Sequence, residues 1–482
     1  MAETTERTDD DLDEHGEPRL RRVMGPKLLL LFIVGDILGT GVYALTGDVA
    51  GEVGGAAWLP FLVAFAVALV TAFAYLELVT KYPQAAGAAL YTHKAFGIHF
   101  VTFMVCFTVM SSGITSASTA SRAFAANAVA GFTSIEEPGK LTVVLIALAF
   151  MLLVALINYR GVSESVRANV VLTLVELSGL LLIILIGVWA IFGGEADFSR
   201  VVAFDTPEDK SVFLAVTAAT SLAFFAMVGF EDSVNMAEET KDPSRIFPKI
   251  MLTGLSITGL IYVLVSIAAV ALVPVGELAA SDTPLLEVVR AGAPGLPMEQ
   301  IFPFISMFAV ANSALINMLM ASRLLYGMAK QAVLPPFLGK VHPERRTPWA
   351  AILFTTAIAF ALIIYVSYAG SDAIAVLGGT TALLLLGVFT IVNIAVLVLR
   401  KDTVDHDHFH APTALPVVGA LACAYLVGPW TGRDTAQYRV AGLLLVLGVL
   451  LWVITWFANR ALRARPTRFQ DPESLDTRGP LN

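Results

Sequence analysis

Long apolar runs dominate this chain, and they restrict it to folds that sit in a lipid bilayer. Runs such as Trp58–Leu78, Leu141–Ile157 and Val440–Phe457 approach the roughly 20 apolar residues that a bilayer-spanning helix needs. Only 15% of the 482 residues are charged, against about 25% in soluble globular proteins. The pattern predicts an all-α integral membrane protein.

The apolar runs divide into twelve candidate spans, and the basic residues between them indicate the orientation of the chain. The spans cover residues 27–50, 55–79, 98–129, 141–158, 166–192, 211–238, 248–274, 297–329, 349–368, 372–399, 413–430 and 440–460. Lys and Arg are enriched in cytoplasmic loops. With a cytoplasmic N-terminus, the segments outside the cell carry only Lys140, Arg200, Lys210, Arg290, Arg433 and Arg439 of the 31 basic residues. We therefore expect a multi-pass protein of the cell membrane with both termini in the cytoplasm.

Both ends of the chain have the composition of disordered cytoplasmic tails, at residues 1–24 and 461–482. The stretch Ala2–Pro18 is acidic and free of aromatic residues, and it lacks the basic start and cleavage site of a secretory signal. This tail and the loops hold much of the formal charge of −8, which gives no reason to expect a nucleic-acid partner. The sequence leaves the oligomeric state open.

Two short stretches broken by glycine interrupt the apolar pattern, Gly35–Gly41 in span 1 and Val228–Ser233 in span 6. Glycine lowers the cost of leaving helical geometry, and interrupted backbone at membrane depth is buried in protein or lines a cavity. Equivalent positions separated by an odd number of spans belong to halves of opposite orientation. This predicts an inverted repeat of spans 1–5 (residues 25–192) and spans 6–10 (residues 211–399), with spans 11 and 12 (residues 413–460) outside it.

Four ordered motifs resemble those of the amino acid–polyamine–organocation (APC) superfamily. They are Gly39–Tyr43 in span 1, Phe224–Glu231 with Ala237–Pro248 in and after span 6, Ser322–Ala329 with Leu334–Pro335 and Arg346–Pro348 in and after span 8, and Glu77–Leu78 with Tyr82–Pro83 and Gly87 after span 2. The resemblance runs in order from about residue 25 to residue 400. It implies twelve transmembrane helices in a 5+5 inverted repeat, with helices 1 and 6 broken and two extra helices.

Broken helices can hold a zwitterion with their backbone alone. The N-terminus of a half-helix attracts an anion and its C-terminal end attracts a cation. By the resemblance, the amides of Thr40 and Gly41 would bind the carboxylate of an α-amino acid, and carbonyls of both breaks would bind its ammonium. The implied binding residues are Ile37, Gly39, Thr40, Gly41, Phe225, Ala226, Val228 and Gly229. Phe225 and Glu231 would act as gates, although the glycines could instead serve close helix packing and Phe225 could be a core residue.

Two acidic residues lie near the bilayer centre, where ionisable groups are costly and usually functional. They are Asp36 in span 1 and Glu176 in span 5. Glu176 lies about where several proton-coupled APC members carry a lysine, so we expect Glu176, with Asp36, to couple transport to protons. Three alternatives stay open for Glu176: a structural hydrogen bond, an ion pair with a cationic substrate or Arg122, and a Na⁺ site with Ser313. Asp36 could equally cap the broken helix.

Polar residues outside these stretches have structural explanations. Glu77, Glu238 and Glu239 are expected to pair with Lys81, Lys241 or Arg323, and Asn127 and Asn312 to form hydrogen bonds between helices. The loop after span 10 contains His406, His408 and His410, which indicate a solvated loop or, as an alternative, a metal site. Cys106 and Cys423 are expected to be buried, without a disulfide or metal.

These features predict a secondary active transporter that moves amino acids by alternating access, and not an enzyme. The chain has no P-loop, and no water-activating motif surrounds Asp36 and Glu176. No cofactor is expected, with H⁺ as the coupling ion and Na⁺ as the alternative. A polyamine or organic-cation transporter or exchanger, a channel and a transporter-derived sensor are the competing functions. The identity of the amino acid, and the choice among symport, exchange and uniport, stay open.

Overall fold

The computed structural model describes the part of the chain that the sequence predicts to be folded. The described residues are 24–84, 87–133, 139–160, 166–194, 196–207, 210–237, 240–294, 297–343, 345, 347–369 and 372–460. The two predicted tails, apart from Met24, lie outside the described residues, as do Glu238, Glu239 and Arg346.

Seventeen α-helices make up most of the described chain. They are α1 (Pro26–Ile37), α2 (Thr40–Val53), α3 (Trp58–Lys81), α4 (Gly87–Phe96), α5 (His99–Phe132), α6 (Lys140–Arg160), α7 (Val166–Gly193), α8 (Phe198–Val201), α9 (Val212–Ala223), α10 (Pro243–Leu272), α11 (Val275–Ala280), α12 (Pro284–Gly292), α13 (Met298–Lys330), α14 (Trp349–Tyr368), α15 (Ala373–Leu399), α16 (Ala414–Val427) and α17 (Thr435–Ala458). Short 3₁₀ turns add Gly55–Ala57, Phe224–Met227, Asp232–Met236, Pro336–Gly339 and Pro429–Thr431.

The lengths of these helices confirm an all-α membrane fold of the twelve-span type. Within the described residues, eleven segments are long and apolar enough to cross a bilayer, when α1 with α2, and α9 with the 3₁₀ turns after it, each count as one interrupted segment. The shorter apolar helix α16 occupies the predicted eleventh span. The seventh span starts earlier than predicted, at Pro243, because Pro248 lies inside α10 and does not end it.

Small residues on the inner helices allow their backbones to approach closely. Helix α5 packs along α13 and α15, and the Thr115 hydroxyl of α5 lies 2.7 Å from the Thr381 hydroxyl of α15. A Cβ at Gly113 would lie 3.3 Å from the carbonyl oxygen of Asn317 on α13. Membrane helices associate through such small-residue contacts and interhelical hydrogen bonds. The interrupted segments lie inside this frame, since α1 contacts α7 and α10 while α2 contacts α9 and α11.

The C-terminal end of α3 is held by an ion pair that differs from the expected one. Glu77, whose side chain is 2% exposed, accepts hydrogen bonds from Nε and Nη2 of Arg400, at 2.8 and 2.7 Å. This carboxylate raises the pKa of Arg400 above its usual range. The predicted pairing of Glu77 with Lys81, Lys241 or Arg323 is therefore wrong, because the residue after α15 folds back over the end of α3. Lys81 donates instead to the backbone carbonyls of Leu399 and Asp402.

The histidine loop packs on this same end of α3. A ring nitrogen of His406 lies 3.1 Å from the carbonyl oxygen of Thr80, and the rings of His408 and His410 have centroids 4.1 Å apart. Among the described residues, no group of three or more His, Cys, Asp or Glu side chains has the arrangement of a metal site. The loop therefore packs on the end of α3, with His406 and His410 exposed and His408 partly buried.

A buried arginine at the opposite end of the bundle ties three helices together. The Arg433 side chain donates to the carbonyls of Leu426 at 3.0 Å, Gly379 at 3.0 Å and Ser221 at 3.2 Å. These carbonyls belong to α16, α15 and α9. Burial lowers the pKa of Arg433 to about 10. The contact fixes α9, the first half of the second interrupted segment, against α15 and α16.

Candidate functional site

The first interruption separates α1 from α2 at Leu38 and Gly39. Gly39 has φ −65° and ψ −142°, which leaves the helical region, and a new helix starts at Thr40. The first four N–H groups of a helix have no intrahelical acceptor, so the amides of Thr40 and Gly41 belong to a new helix N-terminus. The carbonyl of Ile37, at the new C-terminal end, accepts a hydrogen bond from the hydroxyl of Tyr262 on α10.

The second interruption follows α9 and is longer. A 3₁₀ turn over Phe224–Met227 leads into extended backbone at Val228 and then to Gly229, whose φ of +123° is one that L side chains rarely adopt. The amide of Gly229 donates to the carboxylate of Glu231 at 2.8 Å. The chain then continues as a second 3₁₀ turn and does not return to α-helix before Met236. Glycine is required at position 229 by its conformation.

The two interruptions contact one another through their glycines. A Cβ at Gly229 would lie 2.8 Å from the carbonyl carbon and oxygen of Asp36. A Cβ at Gly41 would overlap the backbone of Ala226. The breaks predicted from sequence are therefore present, and they face each other with their main chains in direct contact.

A small cavity lies between the two interruptions, with a volume of about 20 Å³. Seven of the eight predicted binding residues line it, and Ala226 contacts Gly41 beside it without lining it. Further lining residues are Asp36, Ser116, Asp232, Ser313 and Asn317. Such a volume has room for roughly one water molecule. Any larger ligand requires the walls of this smaller cavity to move apart.

A larger cavity of about 50 Å³ adjoins the smaller one and shares Val228, Asp232 and Asn317 with it. It is lined by the starts of α4 and α5 and the last part of α13, so it lies towards the end of the bundle where α1 begins. At the opposite end, α11 and α12 pack against α2, and a Cβ at Gly47 would overlap the carbonyl of Leu278. Among the described residues, the larger cavity therefore extends the space of the site towards the α1 end, whereas α11 and α12 close-pack against α2.

The predicted gating residues have different surroundings. Phe225 is 5% exposed, lines the smaller cavity and packs against α15, where a Cβ at Gly378 would lie 3.3 Å from its ring. Glu231 is 7% exposed and lines the larger cavity, with its carboxylate held by the Gly229 amide. Phe225 is thus placed beside the ligand space, whereas Glu231 also stabilises the backbone of the break.

Glu176 lies behind the first interruption and lines neither cavity. Its side chain is fully buried beside Asn312 of α13, and neither carboxylate oxygen has a hydrogen-bond partner among the described residues. Its own carbonyl accepts from the Tyr43 hydroxyl of α2 at 2.7 Å. Glu176 therefore connects α7 to α2 and α13, which include one half of the broken span.

Two alternatives for Glu176 lose support from these contacts. The charged neighbours of Arg122 are Asp282 and Asp372, so Arg122 is not the partner of Glu176. Ser313 lies against Gly39 and lines the smaller cavity, whereas its sequence neighbour Asn312 reaches Glu176. A single site shared by Glu176 and Ser313 does not fit this arrangement.

Sequence reasoning missed several polar residues of the site. Asn317 lines both cavities, Ser116 lines the smaller one, and Tyr262 binds the carbonyl of Ile37. Asn317 follows Ser313 by one helical turn and its amide donates to the Ser313 carbonyl at 2.9 Å. That spacing puts both on one face of α13 and is a signal that the sequence contains. The contact of Tyr262 with a residue of another span has no such signal.

Comparisons with known proteins show which family the chain resembles. The model of a family described as amino acid permease matches residues 26–459. The branched-chain amino acid permease BcaP of Bacillus subtilis (strain 168) is 26% identical over 86% of this chain and 89% of its own length. The methylthioribose transporter of the same organism is 26% identical over 85% of this chain and 88% of its own length. The chloroplastic cationic amino acid transporter 9 of Arabidopsis thaliana is 29% identical over 68% of this chain and 58% of its own length.

Proposed function

The chain belongs to the amino acid permease family, and we propose that it carries amino acids across the cytoplasmic membrane by alternating access, driven by protons. One observation supports this proposal above the others. Two interrupted helices meet main chain to main chain at a cavity, with a helix N-terminus at Thr40 and non-helical carbonyls around Val228. Such paired interruptions form the substrate sites of secondary transporters with inverted repeats.

The backbone supplies both halves of amino acid recognition in this proposal. The amides of Thr40 and Gly41 bind the α-carboxylate, because a helix N-terminus carries unpaired N–H groups and a positive dipole. The carbonyls of Ile37, Phe225 and Val228 bind the α-ammonium. Ile37 already accepts from Tyr262, which fixes the direction of its carbonyl and leaves it a second lone pair.

Alternating access is supported by the difference between the two ends of the site. The open space adjoins the α1 end, which the distribution of Lys and Arg assigns to the cytoplasm. The opposite end is packed by α11 and α12. In this proposal the protein is in an inward-facing arrangement, and outward opening separates α11 and α12 from α2.

Proton coupling is assigned to Glu176, with Asp36 as a second acid at the site. Moving a carboxylate into the interior costs several kcal/mol after relaxation unless a cation compensates it. No Lys or Arg of the described chain pairs with Glu176. Loading and releasing a proton there therefore changes the energy of the contacts that join α7 to the broken span.

The names of the similar proteins do not agree on one substrate. Their names refer to branched-chain amino acids, to cationic amino acids and to methylthioribose. A polyamine or organic-cation transporter of the same fold is the second candidate, because three acids and no basic residue of the described chain line the two cavities.

Uptake by purified protein in liposomes tests the proposed function. We expect saturable accumulation of at least one radiolabelled amino acid above its external concentration when the outside is made acidic, and collapse of that accumulation by a protonophore. Empty liposomes are the control. Equilibration without accumulation under any ion gradient would contradict secondary active transport, and binding without any flux would favour a sensor.

A further inference from the structure

Asp232 is an acid that neither the backbone site nor the coupling element uses. It is the third residue after Gly229 and lines both cavities, together with Val228 and Asn317. Its amide donates to the carbonyl of Gly229 at 3.1 Å, which ties its position to the second interruption. Its side chain is partly exposed to the cavities and forms no hydrogen bond or ion pair with any residue that the structure describes.

The neighbouring acid shows what a structural carboxylate looks like at this break. Glu231 is 7% exposed and accepts the Gly229 amide at 2.8 Å, so its charge is used to hold the main chain. Asp232 belongs to the same loop but is partly exposed and makes no such contact, and it lines the space in which a ligand must lie. Glu231 and Asp232 therefore have different roles.

The cavities offer Asp232 no basic partner. Their charged lining residues are Asp36, Glu231 and Asp232, and no Lys, Arg or His of the described chain lines either cavity. A carboxylate in a low-dielectric site is costly unless a cation compensates it. The rest of the lining of the larger cavity is uncharged and mostly apolar, with the side-chain amides of Asn235 and Asn317 among its few polar groups. The site is thus electrostatically complementary to a cationic ligand that carries more than one positive group.

Given the proposed function, on which this inference rests, we propose that Asp232 binds the cationic side chain of a basic amino acid. The α-carboxylate and α-ammonium lie at the two interruptions, and the side chain extends from the smaller cavity into the larger one. Asp232 stands at the junction of the two, and Asn317 lies beside it as a further hydrogen-bonding group. Asp232 is then the specificity-determining residue, and the backbone site is common to all amino acid substrates.

Lysine and norleucine are the matched pair of ligands that tests this role, because they differ only in the terminal ammonium. We expect wild-type protein in liposomes to transport lysine with a lower KM than norleucine. Asp232→Asn is expected to raise the KM for lysine by roughly 10- to 100-fold, since a hydrogen bond to a charged group is lost, and to leave the KM for norleucine within about twofold. Asp232→Glu is expected to retain lysine preference.

Asp405→Asn is the control, since Asp405 is an exposed acid in the loop after α15, away from both cavities. Equal losses for lysine and norleucine in Asp232→Asn would overturn the proposal, because Asp232 would then bind the α-ammonium or act in folding. Wild-type transport of norleucine and other neutral amino acids without lysine would overturn it while leaving the proposed function intact. Transport of putrescine in preference to lysine would also overturn it, in favour of a polyamine substrate. A protein that moves none of these ligands would refute the proposed function itself.

Discussion

Replacing Gly41 by Val is expected to abolish amino acid uptake while the protein still inserts into the membrane. A Cβ at position 41 would overlap the backbone of Ala226, and the branches of valine would add to the overlap. Backbone atoms cannot yield as a flexible side chain can, so the two interruptions must separate. The amides at the start of α2 would then lose their position relative to the carbonyls of the second break. We expect a fall in uptake of at least about 100-fold, in line with the loss that misplaced binding groups cause.

The measurement is initial uptake in liposomes, normalised to protein inserted and monodisperse in detergent. Gly442→Val is the matched control, because Gly442 lies in α17 and a Cβ there meets open space. Gly39→Val is a second test, since the new side chain would collide with Ser313 on the other wall of the site. If both site variants kept the wild-type KM and maximal rate, the claim that the interruptions form the binding site would be wrong.

Replacing Glu176 by Gln is expected to uncouple transport from the proton gradient. Glutamine keeps the size of the side chain and its position beside Asn312, but it cannot take up or release a proton in the working range. The variant should still exchange labelled for unlabelled substrate across the membrane. It should lose accumulation driven by an acidic outside, and its exchange rate should become independent of pH.

This comparison separates coupling from the structural alternative for Glu176. If Glu176 has only a structural role, Glu176→Gln should keep the full pH dependence of uptake. That result would contradict our assignment. Glu52→Gln serves as control, because Glu52 is a partly exposed acid that pairs with Lys210 at 2.6 Å and lines neither cavity. Repeating the assay with Na⁺ and without it tests the remaining cation alternative, for which accumulation would require Na⁺.

The sequence predicts the interruptions because their cause is local. Gly39, Gly41 and Gly229 stand in apolar runs where a lipid-exposed break would leave unpaired peptide groups, so their presence indicates an internal cavity. Gly229 has φ of +123°, a conformation that is accessible to glycine because it has no side chain. The order and number of spans likewise follow from the period and length of apolar runs.

Contacts between distant spans are harder to predict, since they depend on how helices are rotated in the bundle. Lys81, Lys241 and Arg323 are the partners that the sequence suggests for Glu77, yet it pairs with Arg400, which the fold brings over the end of α3. The different surroundings of Glu231 and Asp232 depend on the dihedral angles after Gly229, which composition does not specify. The small volume of the site likewise results from side-chain packing and from the conformation of the transport cycle.

The most direct test of the central claim is an experimental structure of the protein with a transported amino acid bound. Our account predicts the substrate carboxylate within about 3 Å of the amide nitrogens of Thr40 and Gly41, and the ammonium at a similar distance from the carbonyls of Ile37 and Val228. The smaller cavity should be enlarged to hold it. A substrate held by side chains elsewhere, with both interruptions still in contact around the unexpanded cavity, would contradict the account.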